Sequence, residues 1–542
     1  MSKRPGENMN DATAFDSPAS KRVRIKDVDD VSAAPITPVI RPPSPADETN
    51  GTTKHDHKEE EEEEHEYIVA PQHRRKAQQI DSDIYLDTIT PTHLDFDFQK
   101  ICSVSLSTQN IYCCLVCGKY FQGRGRSSHA FRHSVDSDHH VFMNLSDEGR
   151  LGVWVLPEGY EVKRCAGVIG DIRRVADPRY TKDDVRNIDA IPETNAVPKD
   201  LSGKSYLPGF VGLNNIKAND YVNVILQLLT HAPPIRNFFL LSPQITNGLP
   251  GALGALTRKI WNRHAFKGHI SPHEILQVIG VESKKRFTLL EQKDPMEFLG
   301  WILNALHTGL GGTKKKPSII TKTFQGRVQV ETQTIAAEST GSRVVFKADK
   351  KATTMTQTPF LFLTLDLPPT PLFQSSIEKN IIPQIPLTDL LKKYDGSTEQ
   401  VSEGGVRRYR LLEVGWYLVL GVKRFTKNGM GEVERNPTII TLPPSLSLNL
   451  APYLAPSSSS DSQPVIFDLL ANIYNTSVPD EDGNEKSVWS IQLREGRAGD
   501  VKGCEYGSSV AMRKPARSDR VMTQPVKVIL EAVGSITFSD KN

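Results

Sequence analysis

Residues 212–234, GLNNIKANDYVNVILQLLTHAPP, join a turn-rich segment to an apolar helical one. Apolar residues recur every three or four positions from Leu213 to Leu229, which predicts an amphipathic helix that faces a core. A helix N-terminus carries partial positive charge and lowers the pKa of a thiol placed there, so this position suits a nucleophilic cysteine. The residue at the position is Asp220 instead. A carboxylate there is expected to cap the free amides of the helix and to complement its dipole.

Length, charge and cysteine content limit the classes of protein to which this chain can belong. A chain of 542 residues predicts roughly two to four units rather than one domain. The net charge is only +2, which gives no global basic field, so any RNA contact is expected to be weak or indirect. No apolar run reaches the roughly 18 residues that span a bilayer and no signal peptide is evident, so no membrane association is expected. Four of the six cysteines lie between 102 and 117, which indicates a metal site in a reducing compartment.

Residues 1–75 are polar and rich in Pro, Ser and Asp. Such a composition buries too little apolar surface to offset the entropy of ordering, so it predicts a disordered tail. The basic cluster KRVRIK at 21–26 predicts a nuclear import signal, and hence a protein of the nucleus, with a solvated basic patch as the alternative. The acidic run Glu59–Glu64 is interpreted as a solubilising segment.

The segment 95–165 contains cysteine and histidine residues at the spacing of a zinc site. A C-x-x-C pair supplies two thiolates from one knuckle, and two histidines separated by five residues follow it. These ligands complete a tetrahedral shell, and a small module without a large core gains its stability from such an ion. A reduced thiol pair beside surface histidines would leave the clustering unexplained. We therefore predict one structural zinc ion, with the ligands Cys114, Cys117, His133 and His139.

The residues around this cluster resemble the UBP-type zinc finger, a module known for binding the free C-terminus of ubiquitin. Larger versions of the module hold further zinc. In this chain Ser105 and Gln122 stand where thiolates are needed, which leaves only Cys102 and His129, an incomplete set of ligands for a second ion. The resemblance therefore implies one ion rather than two or three.

Two further features of the finger concern its ligands and its partner. Cys113 and His140 lie beside predicted ligands and could replace one of them. Arg124, in the sequence QGRG, matches an arginine that members of the resembled family use on the ubiquitin tail, and Trp154 is the only aromatic candidate nearby. The resemblance thus favours a finger kept for protein contacts over one that binds ubiquitin.

After a charged, proline-containing linker at 166–206, residues 207–535 mix helical and strand patterns. Helical periodicity marks NDYVNVILQLL, PHEILQVIGV and DPMEFLGWILNALH, and strand-like runs follow in FLFLTLDL, YLVLGVKRF, PTIITLP and FDLLANIYN. Helices first and strands later predict an α+β domain. The segments 337–356 and 455–464 are interpreted as surface insertions.

The opening stretch resembles the cysteine box of ubiquitin-specific proteases, G-L-x-N-L-G-N-T-C-Y-M-N-S-x-L-Q. The matching residues are Gly212, Leu213, Asn215, Tyr221, Asn223, Leu226 and Gln227. KDPMEFLGWILNALH, FLFLTLDLP, LVLGVKRF and FDLLANIYN resemble further landmarks of the same domain, in the same order. The resemblance implies a papain-like α+β protease fold over residues 207–535, preceded by the zinc finger and the disordered tail.

The residues that carry the chemistry of that family are missing. Asp220 replaces the cysteine, Ala218 the asparagine that stabilises the oxyanion, and Lys217 a glycine. The strand start that holds the histidine base in the family reads KSVWSIQL here, with Val488 or a neighbour in its place, and no histidine follows His307. Nucleophile, base and oxyanion donor act as a unit, so the sequence predicts that the chain is not an enzyme.

Three functions remain to be compared. The chain is a scaffold that uses the fold as a binding surface, a protein that binds ubiquitin or a ubiquitin-like protein without cutting it, or a deubiquitinase with an unorthodox site. The missing residues disfavour the third. The motifs CLVCGKYFQGRG, GLNNIKANDY, LGGTKKK and KRFTKN resemble the catalytically inactive branch of the family that is associated with the spliceosomal tri-snRNP. The resemblance implies a non-catalytic scaffold that contacts tri-snRNP proteins and supports pre-mRNA splicing.

Overall fold

A computed structural model describes most of the chain from residue 85 onward. The described residues are 85–146, 150–163, 167–188, 197–340, 343–369, 382–402, 405–427, 433–443, 446–456, 465–479, 485–493, 504–506, 514–515 and 527–533. The predicted tail at 1–75, with its basic cluster and its acidic run, lies outside these residues, as does most of the predicted insertion at 455–464.

The finger is a small sheet with one helix. Its elements are β1 (Ile111–Cys114), β2 (Tyr120–Gln122), α1 (His129–Ser137), β3 (Val141–Asn144), β4 (Val153–Val155) and β5 (Tyr160–Glu161). The five strands pair in the order β2-β1-β3-β4-β5, all antiparallel. The turn after β1 requires Gly118, because its φ is +76° and a Cβ would lie 2.2 Å from the His93 carbonyl oxygen. Helix α1 begins after Ser128, whose hydroxyl accepts a hydrogen bond from the Phe131 N–H.

The segment at 166–206, predicted as a linker, contains two helices. They are α2 (Val168–Ala176) and α3 (Lys182–Ile188). Ile169, Ile172 and Ala176 recur at spacings of three and four residues and are buried in the core of the finger. Helix α2 therefore belongs to the finger. Three of its other positions, Asp171, Arg173 and Arg174, are charged, which is why composition alone suggests a linker.

Six helices and one short strand pair form the first half of the larger domain. They are β6 (Gly212–Leu213), α4 (Asp220–His231), α5 (Pro233–Leu240), α6 (Gly248–Ile260), β7 (His269–Ile270), α7 (His273–Glu282), α8 (Pro295–Gly309) and α9 (Ile319–Phe324). Helix α4, predicted to be amphipathic, is buried along its whole length because α5, α6 and α8 pack around it. Its polar side chains bond internally, as when Gln227 Nε2 donates to the Val211 carbonyl oxygen at 2.7 Å.

Strands dominate the second half, together with the short helix α10 (Leu387–Leu391). They are β8 (Gly326–Thr340), β9 (Arg343–Phe360), β10 (Leu363–Asp366), β11 (Gln384–Pro386), β12 (Gln400–Ser402), β13 (Gly405–Glu413), β14 (Tyr417–Lys423), β15 (Phe425–Lys427), β16 (Val433–Arg435), β17 (Ile439–Thr441), β18 (Ser447–Asn449), β19 (Ile466–Pro479), β20 (Glu485–Leu493), β21 (Cys504–Tyr506), β22 (Lys514–Pro515) and β23 (Lys527–Val533).

Two sheets contain most of these strands, and the pairs β11-β17 and β15-β16 lie outside them. The larger has the order β10-β14-β23-β19-β20-β21-β22, with β18 also pairing with β19, and the smaller has the order β12-β13-β8-β9. The predicted insertion at 337–356 is the distal part of the β8–β9 hairpin. All three predicted helices and all four predicted strands are found, at α4, α7, α8, β10, β14, β17 and β19, so the α+β prediction is confirmed. No helix in the described part of the chain has the length and apolar character needed to cross a bilayer.

Buried ion pairs fix the finger to the helices of the larger domain. Asp97 lies 2.8 Å from Lys267 Nζ and 3.5 Å from Lys259 Nζ, and it accepts a hydrogen bond from the Ser271 N–H at 3.0 Å. Burial alone would raise the pKa of Asp97, but the two lysines and the Ser271 N–H hold it below its usual range. Asp95 pairs with Lys267 as well, at 2.8 Å. These contacts set the orientation of the finger against α6 and α7.

Candidate functional site

The four predicted zinc ligands converge in the finger. Cys114 ends β1, Cys117 lies in the turn that follows, His133 is on α1, and His139 comes just after it. Their ligand atoms all lie within 4.8 Å of one another. His133 Nε2 is 3.4 Å from Cys117 Sγ and 3.1 Å from His139 Nδ1. Two thiolates and two imidazoles at these separations fit the tetrahedral shell of zinc.

Neighbouring groups orient the ligands and bias which of the two thiols ionises first. Ser137 Oγ lies 3.2 Å from His133 Nδ1, and the Phe121 ring stacks on the same imidazole with 4.2 Å between centroids. The pKa of Cys117 is lowered, first by the hydrogen bond from the Cys114 thiol and then by the Lys119 N–H and the two histidines. The same hydrogen bond raises the pKa of Cys114, so Cys117 is the first of the two thiols to reach the thiolate form that binds metal.

Cys113 and His140, the possible replacement ligands, face elsewhere. Successive residues of a strand point to opposite faces, so Cys114 belongs to the apolar cluster beside α1, whereas Cys113 is buried in the core on the other face. Burial raises the pKa of Cys113. The two ring nitrogens of His140 lie 2.8 Å from the Leu156 carbonyl oxygen and 2.8 Å from Asp138 Oδ1.

The residues at the incomplete second zinc site form hydrogen bonds with one another instead. Cys102 Sγ accepts hydrogen bonds from the N–H groups of Val104, Ser105 and Gln122 at 3.5, 3.4 and 3.3 Å. The Ser105 hydroxyl donates to Gln122 Oε1 at 2.9 Å. Among the residues that the structure describes, the cluster of two cysteines and two histidines is the only group of three or more candidate ligands.

In the larger domain, side-chain amides hold the loop ahead of α4. Asn215 Oδ1 accepts a hydrogen bond from the Asn219 N–H at 3.1 Å, and Asn219 Oδ1 accepts one from the Ile216 N–H at 2.7 Å. Asn219 Nδ2 donates to Asn223 Oδ1 at 3.0 Å, and Asn223 Nδ2 donates to the Asn214 carbonyl oxygen at 3.1 Å. The asparagines that match the cysteine box therefore maintain the loop itself.

Asp220 does not cap its own helix, so that expectation is wrong. It is the first residue of α4, and its Oδ2 accepts hydrogen bonds from Gln292 Nε2 at 2.5 Å and from the Trp489 N–H at 2.8 Å. Gln292 Nε2 also donates to the Ser487 carbonyl oxygen at 2.9 Å. Asp220 is only 2% exposed, and its Oδ1 has no hydrogen-bond partner in the described part of the chain. We call Asp220, Gln292, Ser487 and Trp489 the clasp.

The clasp joins the two segments that the resemblance to cysteine proteases of this family assigns to the nucleophile and the base. Val488, which the resemblance places at or beside the position of the base, carries an aliphatic side chain, and the next residue of β20 is bonded to Asp220. Ala218 offers no side-chain donor, and its N–H is taken by the Leu289 carbonyl oxygen at 3.0 Å. His307 lies on α8, with Nδ1 2.7 Å from Ser318 Oγ. In the described part of the chain, Val488 and Ala218 therefore supply neither a general base nor the expected oxyanion donor.

The two candidate contacts for a ubiquitin tail lie against each other. The guanidinium carbon of Arg124 is 3.7 Å from the centroid of the Trp154 ring. This is a close cation–π contact, so the face of the indole is already covered by the arginine.

Family models match both parts of the chain. The model described as ubiquitin carboxyl-terminal hydrolase matches residues 211–482, and the model described as the Zn-finger in ubiquitin-hydrolases and other proteins matches residues 102–166. The chain belongs to the ubiquitin carboxyl-terminal hydrolase family.

Within that family the chain is similar to two proteins whose names refer to splicing and to one that is named as a hydrolase. It is 45% identical to the probable mRNA-splicing protein ubp10 of Schizosaccharomyces pombe, over 77% of this chain and 82% of the relative. It is 43% identical to human ubiquitin carboxyl-terminal hydrolase 39, over 73% of this chain and 72% of the relative. It is 32% identical to the pre-mRNA-splicing factor SAD1 of Saccharomyces cerevisiae, over 76% of this chain and 86% of the relative.

A solved structure supports the same assignment. The crystal structure of an essential yeast splicing factor superposes with a TM-score of 0.63 at 27% identity, covering 83% of this chain and all of the other. The predicted protease-like α+β fold preceded by a UBP-type finger is confirmed, as is the resemblance to the splicing branch of the family.

Proposed function

We propose that this chain is a non-catalytic scaffold of the spliceosomal tri-snRNP that supports pre-mRNA splicing. The splicing role is supported by the similarity to the fission yeast and budding yeast splicing proteins over about three quarters of the chain. The non-catalytic role is carried by one observation: the carboxylate of Asp220 occupies the position of the nucleophile and bonds to the strand that would hold the base. A fold that has lost its catalytic groups acts through its surfaces.

The chemistry of Asp220 argues against an unorthodox hydrolase. A carboxylate that attacked an isopeptide would form a mixed anhydride, which is less stable than the amide consumed, and the amine would have to leave without a proton donor. The clasp also commits Oδ2 to two hydrogen bonds, one of them to a backbone N–H that cannot move away without disrupting β20. Asp220 is therefore proposed to be structural.

A mechanism-based ubiquitin probe tests this proposal. The chain should form no covalent adduct with a ubiquitin whose C-terminus carries a thiol-reactive group. Asp220→Cys should not cleave di-ubiquitin, because a base and an oxyanion donor are still missing. An active ubiquitin-specific protease serves as the control. Cleavage of di-ubiquitin by the native chain that Asp220→Ala abolishes would contradict the proposal.

Non-catalytic binding of ubiquitin is the second candidate function. It rests on Arg124 and Trp154, which the finger brings together. Because these two side chains contact each other, a ubiquitin tail would first have to separate them. The scaffold role needs no such rearrangement, and we therefore place it first.

The finger is proposed to bind a single zinc ion through Cys114, Cys117, His133 and His139. Support comes from the family of the finger, which is a zinc-binding one, and from the convergence of the four ligand atoms. Its role is structural, because all four ligand positions belong to the protein and a catalytic zinc keeps one position open.

The scaffold proposal predicts a nuclear, protein-mediated association. The tagged chain should co-purify with tri-snRNP proteins from nuclear extract and not from cytoplasmic extract, as read by mass spectrometry. The association should survive ribonuclease, because a net charge of +2 gives little phosphate binding, and a stable interface buries at least roughly 1,000 Å². Loss of every tri-snRNP protein after ribonuclease treatment would instead indicate RNA-mediated binding.

A further inference from the structure

A groove of about 370 Å³ lies between the finger and the helices α6 and α7. Its apolar lining includes Phe96 and Leu151 from the finger and Ala252 and Val278 from the helices. The ion pairs of Asp97 hold the two walls together, so the groove is preformed. Its size falls in the range of roughly 300–1,000 Å³ that proteins use to bind ligands. We call it the finger groove.

Arg258, in the last turn of α6, lines the finger groove and is only 6% exposed. Its Nη1 donates to the Phe239 carbonyl oxygen at 3.2 Å, whereas its Nε has no partner among the described residues. The nearby carboxylate of Asp177 is held by Arg179, with contacts of 2.8 and 2.5 Å, and forms no ion pair with Arg258. Burial lowers the pKa of Arg258. The charge of Asp177 offsets this desolvation only in part, because the two groups form no ion pair.

The charges around the finger groove are unequal. Four basic and two acidic side chains line it. Lys259 is shared between Asp97 and Glu274, at 3.5 Å from each. Lys100 is half-buried and, like Arg258, has no acidic partner within the described ranges. The groove therefore combines an apolar floor with positive charge that the chain does not neutralise.

We propose that the finger groove binds an extended acidic segment of a partner protein, with one carboxylate accepting hydrogen bonds from Arg258. The guanidinium of Arg258, which lines the groove, suits a planar carboxylate, and the apolar floor accepts a neighbouring aliphatic side chain. A phosphate dianion fits less well than a single carboxylate, because it brings two negative charges rather than one beside Asp177 and Glu274, which line the same groove. This inference rests on the proposed scaffold function and names the kind of partner segment that it recognises.

Fluorescence anisotropy of the full chain with labelled peptides tests the inference. A peptide of alternating glutamate and leucine should bind about tenfold or more tightly than one of alternating glutamine and leucine, because a charged hydrogen bond in a buried site is lost. Arg258→Gln should remove this preference and Arg258→Lys should retain part of it. The matched control, Arg186→Gln, changes an exposed arginine on α3 and should leave binding unchanged.

Two results would overturn the inference. The native chain could bind both peptides equally, or Arg258→Gln could bind them as the native chain does. Displacement of the acidic peptide by inorganic phosphate at equal concentration would assign the groove to phosphate instead. The melting temperature of each variant is measured alongside, because Arg258→Gln also removes the buried hydrogen bond to the Phe239 carbonyl oxygen. The peptide-binding assay contains no spliceosomal protein, so a negative result there does not contradict the scaffold proposal. Conversely, if the chain binds the acidic peptide but does not co-purify with tri-snRNP proteins, only the scaffold proposal is contradicted.

Discussion

Replacing Cys117 by serine is expected to release the zinc ion and unfold the finger. A neutral hydroxyl is a poor ligand for zinc, and the three remaining groups do not complete the tetrahedral shell. Structural zinc contributes apparent binding free energies of roughly 10–16 kcal/mol in small finger modules, and much of that free energy is folding free energy. The measurement is metal content per chain by mass spectrometry, together with circular dichroism of the full chain.

Cys102→Ser is the matched control for this prediction. Cys102 is buried in the same module, but its sulfur accepts backbone N–H groups, and a serine hydroxyl can accept them too. This variant should keep one zinc ion and a folded finger. Two ions per native chain, or metal content that falls equally in both variants, would contradict the single site at Cys114, Cys117, His133 and His139.

The pattern of the sequence accounts for much of the fold but not for all of it. Helices α4, α7 and α8 and strands β14 and β19 follow from their periodicity alone. Helix α6 does not, because it contains three glycines and a proline, residues that weaken helices. The position of Gly251 explains why glycine is present in this helix. A Cβ there would lie 2.3 Å from the backbone of Thr246, so the close packing requires glycine. Tertiary packing has overridden local propensity in this helix.

The two candidate sites differ in how far the sequence could predict them. The zinc ligands are close together along the chain, so their spacing predicts the convergence seen in the finger. The clasp joins residues 269 positions apart, and local pattern cannot reveal the bond between Asp220 and the Trp489 N–H. The expectation of a helix cap fails for this reason. The expectation that the carboxylate complements the helix dipole still holds, because Asp220 lies in the first turn of α4.

The clasp is expected to matter for stability, although it lies where an enzyme would have its catalytic groups. Its hydrogen bonds connect α4, the segment before α8 and β20, which belong to the helical and the strand halves of the domain. Removing the carboxylate leaves a buried N–H and a side-chain amide without their shared acceptor. Buried polar groups that lose a partner cost free energy because water does not replace the bond.

Asp220→Ala should therefore lower the free energy of unfolding by about 2–3 kcal/mol, the typical cost of leaving a buried donor unpaired and losing a hydrogen bond to a charged group. Asp220→Asn is the matched control, because its Oδ1 can take the place of Oδ2 and accept both hydrogen bonds. It should lie within about 1 kcal/mol of the native chain, since a neutral acceptor gives weaker bonds but also removes a buried charge. Urea denaturation of the three proteins provides the comparison. Equal stability of the alanine and asparagine variants would show that the clasp does not connect the two halves, and Asp220 would then lack the structural role that replaces the nucleophile.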